Sequence, residues 1–445
     1  MPPSGDSSIL ILIACIVLIH SEQNLLAPNM SAVAASFGFD DAEKDEYLGG
    51  GLAVSLFLVG APAALLIGMA ADGWAKRSNL LALVLLLGAI GCGGSALSTT
   101  YTQLFLSRAL TGVSLGGALP LAFSLLGDLA GPARRTALSG RLGLAMHAGT
   151  AGGQGLAGFV GPLLGWRVPF VLTASVMVLL SMHVRLRMVE PARAPTPHKR
   201  EADKAGSTRL FGPHCAAWSS LFKIPTVWLV FLQGIPGCVP WGTINAFLPD
   251  YLHAEAGFTV QQATLIMSGF SLGGGIGTLL GGELGQRLYN RDRRWPSLLM
   301  LAAGVTGIFP LVVLIWTTPS SMLACALLGG LSGLFATQTG PNVRATLTNV
   351  TQTDQRGLAF ASFALFDDLG RGAGPALIAQ CTRRFGRRTT FAWSILGWLP
   401  CAMLNGATAL TIRRDEVRGH MTADQEMHLP RRGLEDLASA PVHEL

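Results

Sequence analysis

The feature that most constrains this chain is a repetition. Apolar stretches recur from one end to the other, and charge is confined to short segments between them. A spanning helix needs about 20 mostly apolar residues, and hydrocarbon admits only backbone whose polar groups are satisfied internally. Twelve such stretches are expected, near residues 8–36, 47–71, 79–98, 102–127, 137–164, 168–188, 224–251, 260–288, 296–316, 321–346, 356–380 and 390–412. A soluble core is excluded by composition: only 13% of the 445 residues are charged and 50% are hydrophobic, against about 25% charged in a soluble domain. The 55 glycines suit helices that pack closely in lipid. The expected fold is an all-α polytopic membrane protein, with twelve transmembrane helices in two six-helix bundles.

Between the sixth and seventh stretches lies EPARAPTPHKREADKAGSTRLFGPHCAAW, polar and rich in Pro, Gly and charge. The expected organisation is an N-terminal bundle (1–190), a cytoplasmic linker (191–223), a C-terminal bundle (224–412) and a cytoplasmic tail (413–445). Lys76, Arg77, Arg134, Arg135, the linker, the cluster from Arg287 to Arg294 and the tail from Arg413 place both termini in the cytoplasm by the positive-inside rule. The first outer loop, DDAEKDE, is acidic, while CTRRFGRRT, with Arg383, Arg384, Arg387 and Arg388, is a basic loop placed outside against that rule. The net charge of +6 therefore reflects topology, and no nucleic-acid partner is expected.

The seven cysteines are scattered without a CxxC, so neither a disulfide framework nor a zinc site is indicated. The first stretch lacks a basic n-region and a small-residue cleavage site, and reads as a retained helix. There is no P-loop, HExxH or nucleophile elbow, so neither an ATPase, an enzyme nor a bound cofactor is expected. Gly153, Gly155 and Gly158 match a GxGxxG pattern but lie inside a membrane stretch with no preceding strand, so they read as packing positions.

The halves echo each other: Gly161-Pro162 in the fifth stretch recurs as Gly374-Pro375 in the eleventh, and ARRTALS after the fourth resembles DQRGLAF after the tenth. Such a parallel repeat has its pseudo-axis along the membrane normal. The loop GMAADGWAKRS, with Gly68, Asp72, Lys76 and Arg77, resembles the major facilitator superfamily pattern of a Gly, an Asp four residues on and then basic residues. Gly73 and Ala75 stand where the pattern has Arg and Gly. The chain is also similar to the spinster-like branch in the acid before NLLAPN, in SRALTGVSLGGALP and in Gly165-Trp166-x placed before the sixth stretch. That branch usually has Asp-Arg where this chain has Glu22-Gln23, and Glu where it has Leu115. The resemblance implies a monomeric, alternating-access transporter of small organic or amphipathic molecules, and the spinster-like part of it implies lysolipid-like cargo. It also implies that Gly68, Asp72, Lys76 and Arg77 latch the halves in one conformation.

Charge inside the spans marks the candidate site. Glu22 sits where an acid costs roughly 2.5–3.5 kcal/mol on insertion scales. Glu22 and Arg108 are the candidate proton-coupling pair, on spans that line the central cavity in the superfamily; the alternatives are a static interhelical bridge, or a local hydrogen bond of Glu22 beside a helix loosened by Pro28. Gln233, Trp241 and Asn245 lie on a seventh span expected to be interrupted at Gly234, Pro236, Gly237 and Pro240. With Gln338 and Asn342 of the tenth span, they are candidate substrate contacts; interhelical hydrogen bonding is the alternative for each. Asp367, Asp368 and Arg371 fall at helical spacing, so they either neutralise one another or form a second cation or proton site. The expected activity is proton-coupled secondary transport, with an uncoupled facilitator and a non-transporting ligand sensor as the alternatives. The expected partners are a small-molecule substrate, protons and the lipid bilayer.

Overall fold

The computed structural model describes residues 5–72, 76–129, 132–188, 221–352 and 355–420. The greater part of the linker (residues 191–220) and the tail beyond 420 lie outside them. Among the described residues every regular element is helical, as a chain must be where water cannot satisfy its backbone.

Each of the twelve expected stretches has a helical counterpart. The first is Gly5–Gln23 continued by Met30–Phe37; the second is Lys44–Gly51, Val54–Leu58 and Val59–Asp72, the first two of these π-helical. Arg77–Leu97, Tyr101–Leu129, Pro132–Leu164 and Arg167–Arg187 complete one half. The other half runs Pro225–Ala254, Val260–Tyr289, Trp295–Thr317, Met322–Ala336 with Thr339–Val350, Arg356–Phe385, and Arg387–Ile395 with Trp398–Ala407. Among the described residues eight of these spans are long and apolar enough to cross a membrane, nine if the bent twelfth is included. The others are diluted for visible reasons: the second is broken, the fifth carries many glycines with His147 and Gln154, and the eleventh carries Asp367, Asp368 and Arg371.

The first span breaks at Asn24–Leu26, ahead of a short 3₁₀ turn at Ala27–Asn29 that contains Pro28. Proline has no N–H and disfavours helix in the residue before it, so carbonyls upstream lose their partners. Other groups take them up: Arg108 Nη2 donates to the Glu22 and Gln23 carbonyls at 3.3 Å each, and Asn24 Nδ2 donates to the His20 carbonyl at 2.8 Å. Contrary to expectation, the seventh span is not interrupted; Pro225–Ala254 is one helix containing Pro236, Pro240 and Pro249. Its glycines serve close packing instead. A Cβ on Gly237 would lie 2.7 Å from Cys401 Sγ, and one on Gly242 would lie 2.8 Å from the Arg371 carbonyl oxygen.

Glycine also sets how the fifth span sits. A Cβ at Gly153 would come within 2.1 Å of the Ser21 carbonyl oxygen, and one at Gly158 within 1.9 Å of Thr264 Oγ1. The fifth helix is therefore clasped between the first and the eighth, and the GxGxxG pattern is packing. Towards the end remote from the N-terminus, one apolar cluster joins both halves, through Leu25, Met30, Leu48, Phe247, Tyr251 and Phe391. Towards the other end the core separates into two, one around Leu12, Ile16, Leu85 and Leu125 and one around Phe231, Met300 and Leu347. The space between these two clusters is the site.

Candidate functional site

A cavity of about 1990 Å³ opens between the halves at the end that bears the N-terminus. Its walls combine rings (Phe57, Trp241, Phe270, Phe360) with guanidiniums (Arg108, Arg344, Arg371). Trp241 is held at centroid distances of 5.5 Å from Phe270 and 5.6 Å from Trp398, so a rigid aromatic face looks into the cavity. Gln233, Trp241 and Asn245 all line it. Asn245 turns its amide onto the Trp241 carbonyl at 2.9 Å, and Gln233 accepts from Asn405 Nδ2 at 3.2 Å.

Glu22 lies behind the wall rather than on it. It is 0% exposed, and the cavity surface is formed by its neighbours His20, Gln23 and Asn24. One helical residue is a turn of about 100°, enough to take Glu22 to the back of the helix. There Thr111 Oγ1 donates to Glu22 Oε1 at 2.7 Å, and Oε2 has no partner among the described residues. Arg108 is 1% exposed, spends Nη2 on the two carbonyls at the break, and stands 5.8 Å over the Phe170 ring. Among the described residues no direct ion pair joins Glu22 to Arg108. Arg108 Nη1, Ser114 Oγ and both amide atoms of Gln154 are likewise buried without partners, leaving several orphaned polar atoms in the N-terminal half.

Two other expected residues are not at the cavity surface. Asn342 donates to the Gly281 carbonyl at 2.9 Å and to the Gln338 carbonyl at 2.8 Å, and Gln338 donates to the Leu334 carbonyl. A Cβ on Gly281 would strike Gln338, and one on Gly285 would strike Asn342. These amides fasten the tenth span to the eighth. Arg371 lies between the two aspartates of its own helix, 3.6 Å from Asp367 and 3.5 Å from Asp368, and all three line the cavity. In the loop after the second span, Lys76 is exposed, while Arg77 is buried and donates to the Ser124 carbonyl and hydroxyl at 3.3 and 3.1 Å. The surroundings of Gly68 and of the Asp72 side chain lie outside the described residues.

Sequence reasoning overlooked two features. Arg344, on Thr339–Val350 of the tenth span, lines the cavity although it was not among the expected contacts. The second feature closes the cavity at its far end. Lys44 lies 3.2 Å from Asp250, and Arg387 reaches Asp250 at 2.8 Å and Asp45 at 2.5 Å. Ser31 donates to Asp250 at 2.5 Å, and Arg383 pairs with Glu46 at 2.5 Å. The basic loop that dissented from the charge rule is thus the counterpart of the acidic DDAEKDE loop. Opposite charge blocks on one face were the signal available. Among the described residues no three His, Cys, Asp or Glu side chains converge as a metal would require.

Comparison with known proteins places this architecture. The family model for the Major Facilitator Superfamily matches residues 12–375. The 3-(3-hydroxy-phenyl)propionate transporter of Escherichia coli (strain K12) is 29% identical over 388 residues, 85% of this chain and 88% of that protein. The 4-hydroxybenzoate transporter PcaK of Pseudomonas putida is 25% identical over 265 residues, 55% of this chain and 58% of that one. Among solved structures, a bacterial homolog of the human lysosomal transporter Spinster, inward-facing and unoccupied, superposes with a TM-score of 0.75 at 16% identity, covering 93% of this chain and 99% of its own. A D-xylose-proton symporter superposes at 0.68 and 15% identity, covering 94% and 100%. Likeness at that identity speaks to the fold. With the helical order, the cavity and the family match together, the chain belongs to the Major Facilitator Superfamily, as a multi-pass integral membrane transporter of small organic molecules.

Proposed function

We propose that this protein is a proton-coupled secondary transporter of small aromatic carboxylic acids. It works as a monomer with both termini in the cytoplasm, and its two bundles, residues 1–190 and 224–412, rock about the cavity. The observation that carries the reading is a cavity wall that presents guanidinium groups beside a fixed aromatic face. A guanidinium grips a carboxylate through paired N–H donors, and a ring stacks on Trp241. Sequence relatives that span most of the chain support an aromatic acid over a lysolipid.

Glu22 is the coupling acid in this reading, and Arg108 holds the broken helix beside it. The orphaned Oε2 accommodates a proton without loss of any hydrogen bond. Asp72, Lys76 and Arg77, with Gly68 allowing close approach, latch the halves when the inner mouth shuts.

The test is uptake of 3-(3-hydroxyphenyl)propionate by reconstituted vesicles, with and without an inward proton gradient, in wild type and Glu22→Gln. Gradient-driven accumulation by wild type, reduced to exchange in the variant, is the expected result. Equal and gradient-independent flux in both proteins would make this a facilitator with a structural Glu22. Ligand binding without flux would make it a sensor.

A further inference from the structure

We propose that Arg344, Arg371, Asp367 and Asp368 form a loading site that takes one substrate carboxylate together with one proton, the proton going to Asp368. The proposal rests on the carboxylate-transport reading above and adds a proton site distinct from Glu22.

The charges balance in a telling way. Asp367, Asp368 and Arg371 all line the cavity from one helix, and Arg344 lines it from the preceding helix. Among the described residues Arg344 has neither a carboxylate nor a hydrogen-bond acceptor on its guanidinium. The empty group of four holds two positive and two negative charges and is neutral. A carboxylate that docks on Arg344 and Arg371 leaves it one negative charge in excess, in a setting where water is scarce and an unbalanced charge is costly. A proton on one aspartate restores neutrality. The ledger after loading is two guanidiniums, one aspartate, one substrate carboxylate and one neutral Asp368, and no covalent bond breaks other than that of the incoming proton with water.

Geometry selects Asp368. Charge-assisted N–H···O contacts settle near 2.7–2.9 Å, but Arg371 stands 3.5 and 3.6 Å from its aspartates. Neither aspartate holds it tightly, so the guanidinium is able to turn to a third carboxylate. Asp367 is wedged against the seventh span, where a Cβ on Gly234 would lie 2.5 Å from its Oδ1. Both aspartates have Arg371 as their single ion-pair partner among the described residues, so the wedged position of Asp367 is what leaves Asp368 to take the proton. The other titratable groups near the four are His20 from the first span, His147 from the fifth, Cys238 from the seventh and Cys401 from the twelfth. Lys44, Asp45 and Glu46, at the entry of the second span, are engaged at the outer closure. His20 Nδ1 is within 2.9 Å of the Ile16 carbonyl, and Cys401 Sγ donates to Gln233 Oε1 at 3.1 Å.

The experiment is calorimetry on the purified full chain, with 3-phenylpropionate and its neutral amide as probes, in buffers of differing ionisation enthalpy. Wild type should take up about one proton per carboxylate bound and none with the amide. Asp368→Asn should bind the carboxylate without proton uptake, and Asp368→Ser, a second variant in case the first misfolds, should do the same. Arg344→Gln should weaken the carboxylate roughly ten- to a hundredfold and leave the amide unchanged. Full proton uptake in a folded Asp368 variant overturns the proposal while leaving the carboxylate reading intact. Wild type that binds neither probe overturns the carboxylate reading and this proposal with it.

Discussion

Replacing Asp250 with Asn tests the outer closure most directly. The Asp250 side chain is 2% exposed and receives Arg387 at 2.8 Å, Lys44 at 3.2 Å and Ser31 at 2.5 Å. Lys44 and Arg387 are themselves 4% and 9% exposed. Asparagine keeps the shape and removes the charge, leaving Arg387 to Asp45 and Lys44 to the exposed Asp41. A buried charge stripped of every partner costs about 3–5 kcal/mol; each cation here keeps a second carboxylate, so the loss is that of charge-assisted bonds, about 1.5–3 kcal/mol. Opening the outer end hydrates those cations, so most of that cost falls on the closed form alone. The equilibrium between closed and open outer ends should therefore move by roughly ten- to a hundredfold toward open. Spin labels on Ala35→Cys and Arg384→Cys, both exposed at that end, would report the change in a cysteine-free background. Pulsed dipolar distances should lengthen in Asp250→Asn and return with Asp250→Glu. Unchanged outer distances in a folded Asp250→Asn protein would refute the reasoning, and show that the apolar cluster around Phe247 and Phe391 closes that end unaided.

Two further outcomes are expected. Gly273→Ala places a methyl 2.0 Å from the Gly330 carbonyl oxygen, so it should destabilise the fold by about 1–3 kcal/mol; a thermal midpoint in detergent equal to wild type would contradict that contact. At the loop before the ninth span, burial works upward on the Asp292 carboxyl, but bonds from the Arg294 amide and the Arg413 guanidinium outweigh it and hold the group below its usual range. A depressed carboxyl contributes stability above its unfolded value near 3.9 and loses it as pH falls through the folded value. Protection from hydrogen exchange in Ile412–His420, the helix that carries Arg413, corrected for the intrinsic pH dependence of exchange, should accordingly stay constant from neutral pH down to about 4 and fall below it, with that fall abolished in Asp292→Asn.

The membrane class and the order of spans were legible because twenty-residue apolar runs are long signals that single substitutions do not blur. The break at Pro28 and the self-pairing of Arg371 were legible for a similar reason: both are local in sequence. What failed was facing. A helix packed on every side has no polar stripe, so the pattern around Glu22 does not distinguish the cavity wall from its back. Gln338 and Asn342 looked like cavity amides because an amide that meets substrate and one that meets a neighbouring glycine have the same composition around them. The prolines of the seventh span suggested a break that surrounding helices instead absorb. Arg344, inside the tenth stretch, was passed over because a basic residue near a span's end reads like the positive-inside charges beyond it, and the pairing of Arg387 with Asp45 spans 342 residues, beyond the reach of any local rule.

The glycine seam between the eighth and tenth spans has a consequence for how such a protein changes over time. A Cβ at Gly273, Gly277 or Gly333 would fall 2.0, 2.1 or 2.2 Å from a backbone oxygen across the seam. Backbone cannot step aside as a side chain can, so drift along this stripe is closed to every other amino acid. Elsewhere on the eighth helix, Ser271, Thr278 and Leu279 look into the cavity and touch no such limit. Mutation on that face re-shapes what the cavity accepts, while the two helices continue to travel as one part. New cargo can thus be acquired by a lineage without rebuilding the machine that moves it.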